Sequence, residues 1–181
     1  MKKNNRREIK EGCGKKSSLK NQSILFFVYA LLFVMLLIGV DFLLKLLINA
    51  RKPNFLIFNL IGIEYTTNTG VAFGIFKNSP FFNTILIVLV LIIFVFSFWK
   101  ISFGNTKKTS WVINRVGLIG FILILSGGLG NLVDRIFYGY VIDFIRVGGW
   151  PNFNLADSYI TIGVILIIIS LFSKDYHIQK E

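Results

Sequence analysis

Apolar residues gather into four long stretches, at 24–48, 81–99, 111 to about 132, and 153–172, separated by polar or mixed segments. Crossing the hydrocarbon core takes about 20 mostly apolar residues in a helix, and each stretch meets that length. The fourth has a short apolar centre, 159–172, and borrows 153–158 to cross. The first is too long for the apolar part of a cleaved signal peptide and lacks a small-residue cleavage pattern, so it reads as a retained span. Between the first two spans, residues 53–78 mix aromatic and β-branched residues with Gly and Asn. Within them, 55–58 and 61–65 predict short strands joined by turn residues. The expected fold is an all-α membrane protein: an antiparallel bundle of four transmembrane helices with a small extracytoplasmic β-sheet resting on the membrane surface.

Charge orients this bundle. Net charge is +11, with 54% of residues hydrophobic and only 16% charged. Such a balance suggests nucleic acid until its distribution is read. Eight basic side chains fall within the first 20 residues, directly before the first apolar stretch. That is the pattern of a cytoplasmic tail holding a span in orientation, and it excludes nucleic acid as the partner. With the N-terminus inside, the cytoplasmic segments hold 14 Lys and Arg and the outer segments five. Both termini are therefore expected in the cytoplasm. The predicted organisation is a basic tail over 1–22, a membrane domain over 23–174 and a C-terminal tail over 175–181. Cys13 is the only cysteine and reads as a plain cytosolic thiol. His177 is the only histidine and lies in the polar C-terminal tail. A His-rich metal site and a Ser-His-Asp triad both need a histidine near the chemistry, so neither is expected.

The acidic residues carry the candidate chemistry. Only nine are present, and outside the tails they are Asp41, Glu64, Asp134, Asp143 and Asp157. Asp41 lies 17 residues into the first span, or ~26 Å along a helix, near the outer face. Asp134 follows the third span, Asp143 falls in the second outer loop and Asp157 opens the fourth span, all at that same face. Two neighbouring carboxyls resist joint ionisation, so one keeps a proton while the other acts as base. Such a pair hydrolyses peptide bonds in aspartic proteases. Local partners give a competing account. Asp41 has Lys45 one turn on, Asp134 has Arg135 adjacent and Asn131 one turn back, and Asp157 suits a helix N-terminus. Asp143 has no such neighbour. On spacing alone a catalytic pair, a proton-coupled transporter and a structural scaffold all remain open. The glycine-rich run 126–130 favours close helix approach, and Gly70 suits a tight turn.

Five segments add a resemblance. Asp41-Phe42-Leu43-Leu44-Lys45, Asn68-Thr69-Gly70-Val71-Ala72-Phe73-Gly74, Gly130-Asn131-Leu132-Val133-Asp134-Arg135, Val141-Ile142-Asp143-Phe144 and Phe153-Asn154-Leu155-Ala156-Asp157 occur in this order. Together they resemble the motifs of the lipoprotein signal peptidase family (signal peptidase II), over about residues 41–172. Val71 stands where Ala is commoner, the stretch from Asp143 to Asp157 is somewhat short, and the N-terminal tail is long and basic. The resemblance implies an aspartic endopeptidase of the bacterial inner membrane, active at the extracytoplasmic face, with Asp143 and Asp157 as the catalytic dyad. It implies places near the substrate for Asn68, Gly70, Asn131, Arg135, Asn154 and Ala156, and a supporting role for Asp41, Lys45 and Asp134. The implied substrate is a diacylglyceryl-modified prolipoprotein held in membrane lipid and cut before its lipidated cysteine. Globomycin-like peptides are the implied inhibitors, and no metal or organic cofactor is implied.

Overall fold

In a computed structural model, residues 2–58, 60–70, 79–103 and 115–178 are described. Four helices and three strands follow in the order α1 (Lys2–Arg51), β1 (Asn54–Ile57), β2 (Ile61–Asn68), α2 (Pro80–Phe103), α3 (Arg115–Tyr138), β3 (Val141–Val147) and α4 (Leu155–Ile178). Among the described residues three helical segments are long and apolar enough to cross a membrane: Phe27–Arg51, Arg115–Tyr138 and Leu155–Ser173. The second expected span lies in α2, whose apolar stretch Phe81–Ser97 is shorter. Residues 111–114, where the third span was expected to start, lie outside the described residues.

Helix ends depart from the hydrophobic pattern in instructive ways. α3 does not stop near Leu132 but runs on to Tyr138, so Asp134 and Arg135 sit on its last turns rather than after it. Its stop is a backbone signal. Gly139 has φ of 75° and its N–H donates to Arg135 O at 3.0 Å, the left-handed closure that glycine permits. α4 starts after Asn154, whose Oδ1 accepts the Asp157 N–H at 2.9 Å, while Asp157 Oδ2 accepts the Asn154 N–H at 3.3 Å. This reciprocal pair is a capping box, satisfying two donors that the first helical turn leaves free.

The strands form one antiparallel sheet in the order β1-β2-β3. β2 runs three residues beyond the strand expected at 61–65, to Asn68. β3 corrects the expectation that Asp143 lies in a loop. Val141-Ile142-Asp143-Phe144 is buried on both faces of the strand, so no alternation of apolar and polar residues marks it. Phe55, Ile57, Ile61 and Ile63 are exposed, and the β1–β2 register puts them on one face.

Close contact between α3 and α4 holds the bundle. A methyl group on Gly120 would lie 2.6 Å from the Gly163 carbonyl oxygen, and one on Gly163 would lie 2.6 Å from that of Gly120. One on Gly127 would collide with the Ala156 carbonyl. These absent side chains let the two backbones approach as small residues do in membrane bundles. They bring the polar end of α3 against the start of α4.

Candidate active site

Asp143 and Asp157 reach the site from different elements and meet at Asn154. Asp143 projects from β3, and Asp157 sits in the first turn of α4. Asn154 Nδ2 donates to Asp143 Oδ1 at 2.8 Å. The Asn154 backbone N–H donates to Asp157 Oδ2. One capping residue thus starts the helix and ties the two carboxyls together. A second tie runs through Asn131, which donates to Asp157 Oδ1 at 2.7 Å and accepts from Asn154 Nδ2 at 3.0 Å. Asn68 Nδ2 donates to Asp143 Oδ2 at 3.1 Å, and Asn68 Oδ1 accepts the Gly70 N–H at 3.0 Å. Each carboxyl oxygen of the pair therefore has one donor.

Beneath the pair lies a buried ion cluster. Lys45 Nζ is 2.7 Å from Asp41 Oδ2 and 3.0 Å from Asp134 Oδ2, and it donates to Asn131 Oδ1 at 3.1 Å. A buried ammonium requires such partners: one hydrogen bond to Asn131 and two carboxylates within ion-pair distance. The carboxylates are used twice. Asp41 Oδ1 accepts the Ala156 N–H at 3.0 Å, so α1 caps the first turn of α4. Asp134 Oδ2 accepts the Ile142 N–H at 3.1 Å, so α3 anchors β3 beside Asp143. Ala156 is fully buried, and its small side chain lies under Gly130.

Arg135 turns away from this cluster. Its guanidinium donates to Gly70 O at 2.9 Å and to Asn131 O at 3.2 Å. The structure thus brings together Asp41, Lys45, Asn68, Gly70, Asn131, Asp134, Arg135, Asp143, Asn154, Ala156 and Asp157. Val71, Ala72, Phe73 and Gly74, which complete the second motif, lie outside the described residues. Two side chains that sequence reasoning passed over also belong here. Thr66 Oγ1 donates to Asp143 O at 3.2 Å. Asn83, fully buried in α2, donates to Thr69 O at 2.8 Å. A lone Asn in an apolar helix was the signal for the second, since an amide in hydrocarbon needs a partner.

The two aspartates open into one cavity of about 660 Å³ that also exposes Asn68, Asn131 and Arg135. Its remaining wall is mostly apolar, including Ile87, Val141, Ile160 and Ile162. Asp143 is 3% exposed. Burial first, and then the Asp157 charge, push its carboxyl up to about 7, against the hydrogen bonds from Asn68 and Asn154 and the Lys45 charge. A carboxyl raised this far is part-protonated near neutrality, which suits a pair acting as acid and base.

Comparisons with known proteins give the family. The family model for signal peptidase (SPase) II matches residues 33–173. The chain is 37% identical over 118 residues to a lipoprotein signal peptidase of Streptococcus thermophilus, covering 64% of this chain and 71% of that one. It is 34% identical over 146 residues to the lipoprotein signal peptidase of Halothermothrix orenii, covering 78% of this chain and 94% of that protein. A bacterial membrane enzyme solved by the in meso method superposes with a TM-score of 0.67 at 31% identity, covering 81% of this chain and 88% of the other.

Proposed function

The chain belongs to the signal peptidase II family, and from that membership we propose that Asp143 and Asp157 are the reacting pair of a membrane aspartic endopeptidase. Its activity is that of a lipoprotein signal peptidase, a protease that removes signal peptides from prolipoproteins. In our reading the substrate carries a diacylglyceryl group and is cut just before the modified cysteine. One observation carries the assignment: two carboxyls joined through Asn154 open into a single cavity whose other wall is apolar.

The proposed chemistry follows from the pair. Asp157 takes a proton from a water while Asp143, holding its own proton, donates to the carbonyl oxygen. The water oxygen bonds to the carbonyl carbon. The C–N bond then breaks as Asp157 passes its proton to the departing amine of the cysteine, and a hydroxyl of the tetrahedral intermediate returns a proton to Asp143 as the new carboxyl forms. Asn68, Asn131 and Asn154 hold the carboxyls, while Arg135 fixes Gly70. No metal or organic cofactor enters this scheme.

Because the reaction needs the Asp143 proton, kcat/KM is expected to fall as pH rises through about 7. Stability should run the same way. The folded state holds a proton that the unfolded chain has released above its ordinary carboxyl range, so stabilisation is greatest at low pH and is lost on approaching about 7. A pH–rate profile flat between 5 and 9 would oppose this assignment of the proton.

The protein is a multi-pass membrane protein. We further propose that α2 supplies the fourth span, that both termini are cytoplasmic, and that the site faces the outside of the inner membrane. Residues 23–174 then form the peptidase domain, between cytoplasmic tails at 1–22 and 175–181. The exposed apolar face of the sheet suits contact with membrane lipid. A reporter fused after Ile145 should be extracytoplasmic and one fused after Lys108 cytoplasmic; the reverse would put the pair on the wrong side.

Cleavage is tested with purified protein in a bilayer and one proprotein, with and without the diacylglyceryl group. The lipidated form should be cut and the unlipidated form should be cut far more slowly, since the lipid fixes the scissile bond at the depth of the pair. Globomycin-like peptides should block the reaction. Equal rates would show that the peptide alone is recognised, and no cleavage of either would end the peptidase reading.

A further inference from the structure

The loop between β3 and α4 does more than connect them. Trp150 lines the same cavity as Asp143 and Asp157, yet its side chain is 62% exposed. A large ring left open beside the carboxyl pair offers apolar area that a bound ligand can cover. The loop that carries it is fixed on both sides. Gly148 turns the chain with φ of 53°, and the Trp150 N–H donates to Val147 O at 3.0 Å. Asn152 Nδ2 lies 3.1 Å from Glu64 Oε2 and 3.3 Å from Thr66 Oγ1, and Glu64 is paired with Arg146 at 3.1 Å. Phe153 bridges to Ile145. The backbone that carries Trp150 is therefore set in place in advance, and only its side chain is left to order when a ligand arrives.

Position says which part of a ligand it meets. From Asp157, α4 descends past Ile160 and Ile162, which line the cavity's apolar wall. The loop residues precede α4 in the chain, so they line the cavity from before its first turn rather than along it. A polypeptide with its scissile bond at the pair has its signal helix along α4 and its other side directed past the loop. We propose that Trp150 is a specificity-determining residue that packs against the one or two residues following the lipidated cysteine. This rests on the peptidase reading and adds to it the face of the substrate that is selected.

The test combines kinetics and binding. Trp150→Ala should raise KM by about tenfold, the scale of a truncated aromatic contact, with a much smaller change in kcat. Trp150→Phe should recover most of that loss. Wild-type protein should discriminate between substrates with small and bulky residues after the cysteine, and Trp150→Ala should flatten the difference. For binding, Trp99 and Trp111 are replaced by Phe, leaving Trp150 as the only fluorophore of its kind, in an Asp157→Asn background. A lipopeptide with a quencher on the second residue after the cysteine should quench Trp150; the same quencher on the signal-peptide side should not. An unchanged KM with strong quenching by brominated lipid in the absence of peptide would make Trp150 a membrane anchor and overturn the proposal. Equal quenching from both labels would also overturn it. If wild-type protein binds the lipopeptide without cutting it, the peptidase reading falls, while the label positions still decide the Trp150 contact.

Discussion

Asp143→Asn and Asp157→Asn are each expected to reduce cleavage by about a thousandfold or more, near the upper range for loss of a general acid or base. The double variant should lose little beyond either single one, because the two carboxyls act as one unit. Independent contributions would multiply, and the double variant would then be slower than each single one by another thousandfold or so. Unfolding does not explain so large a loss. Both oxygens of Asp143 accept amide donors, from Asn68 and Asn154. An Asn there faces one of those donors with its own NH2 and forfeits about one hydrogen bond, roughly 1 kcal/mol. Thermal unfolding of each variant beside its turnover separates the two effects. Substantial turnover by either single variant would remove that residue from the reacting pair.

Much of this site was legible in the sequence because membrane topology is a strict ruler. Counting residues along apolar stretches brought Asp41, Asp134, Asp143 and Asp157 to one depth, and they do share one end of the bundle. The one-turn spacing of Asp41 and Lys45 also foretold their ion pair. Local reasoning failed for Asp134. Asn131, one turn back, does share Lys45 with it, but Arg135 also looked like a natural partner, and adjacent helical residues point about 100° apart. Asp134 instead meets Lys45 of α1, while Arg135 points to Gly70. β3 was missed for a different reason: a short strand buried on both faces carries no period-two pattern. The Glu64–Arg146–Asn152 cluster joins residues far apart in the chain, and no local signal announces such contacts. Helix ends were misplaced wherever a cap, at Gly139 or Asn154, rather than hydrophobicity set the boundary.

Lys45→Met should be the most destabilising single change in the bundle. Methionine fills similar volume without charge, so packing is nearly kept and the electrostatic effect stands alone. Lys45 is 1% exposed and is the counter-charge that Asp41 and Asp134, both equally buried, share. Without it each carboxylate keeps one backbone donor, from Ala156 or Ile142, and no counter-charge. Removing one partner of a buried ion pair costs about 3–5 kcal/mol, because the charge left behind stays desolvated. The loss should reach the reaction as well. Lys45 donates to Asn131, and Asn131 donates to Asp157, so the pair loses part of its support. If stranded charge is the cause, adding Asp41→Asn and Asp134→Asn to Lys45→Met should restore more than half of the lost stability. The neutral amides still offer an oxygen to the Ala156 and Ile142 N–H groups and need no cation. Thermal unfolding of the single and triple variants in the same detergent decides the matter. A triple variant no more stable than Lys45→Met alone would mean that the ammonium acts through its own packing and hydrogen bonds rather than as the counter-charge shared by the two carboxylates.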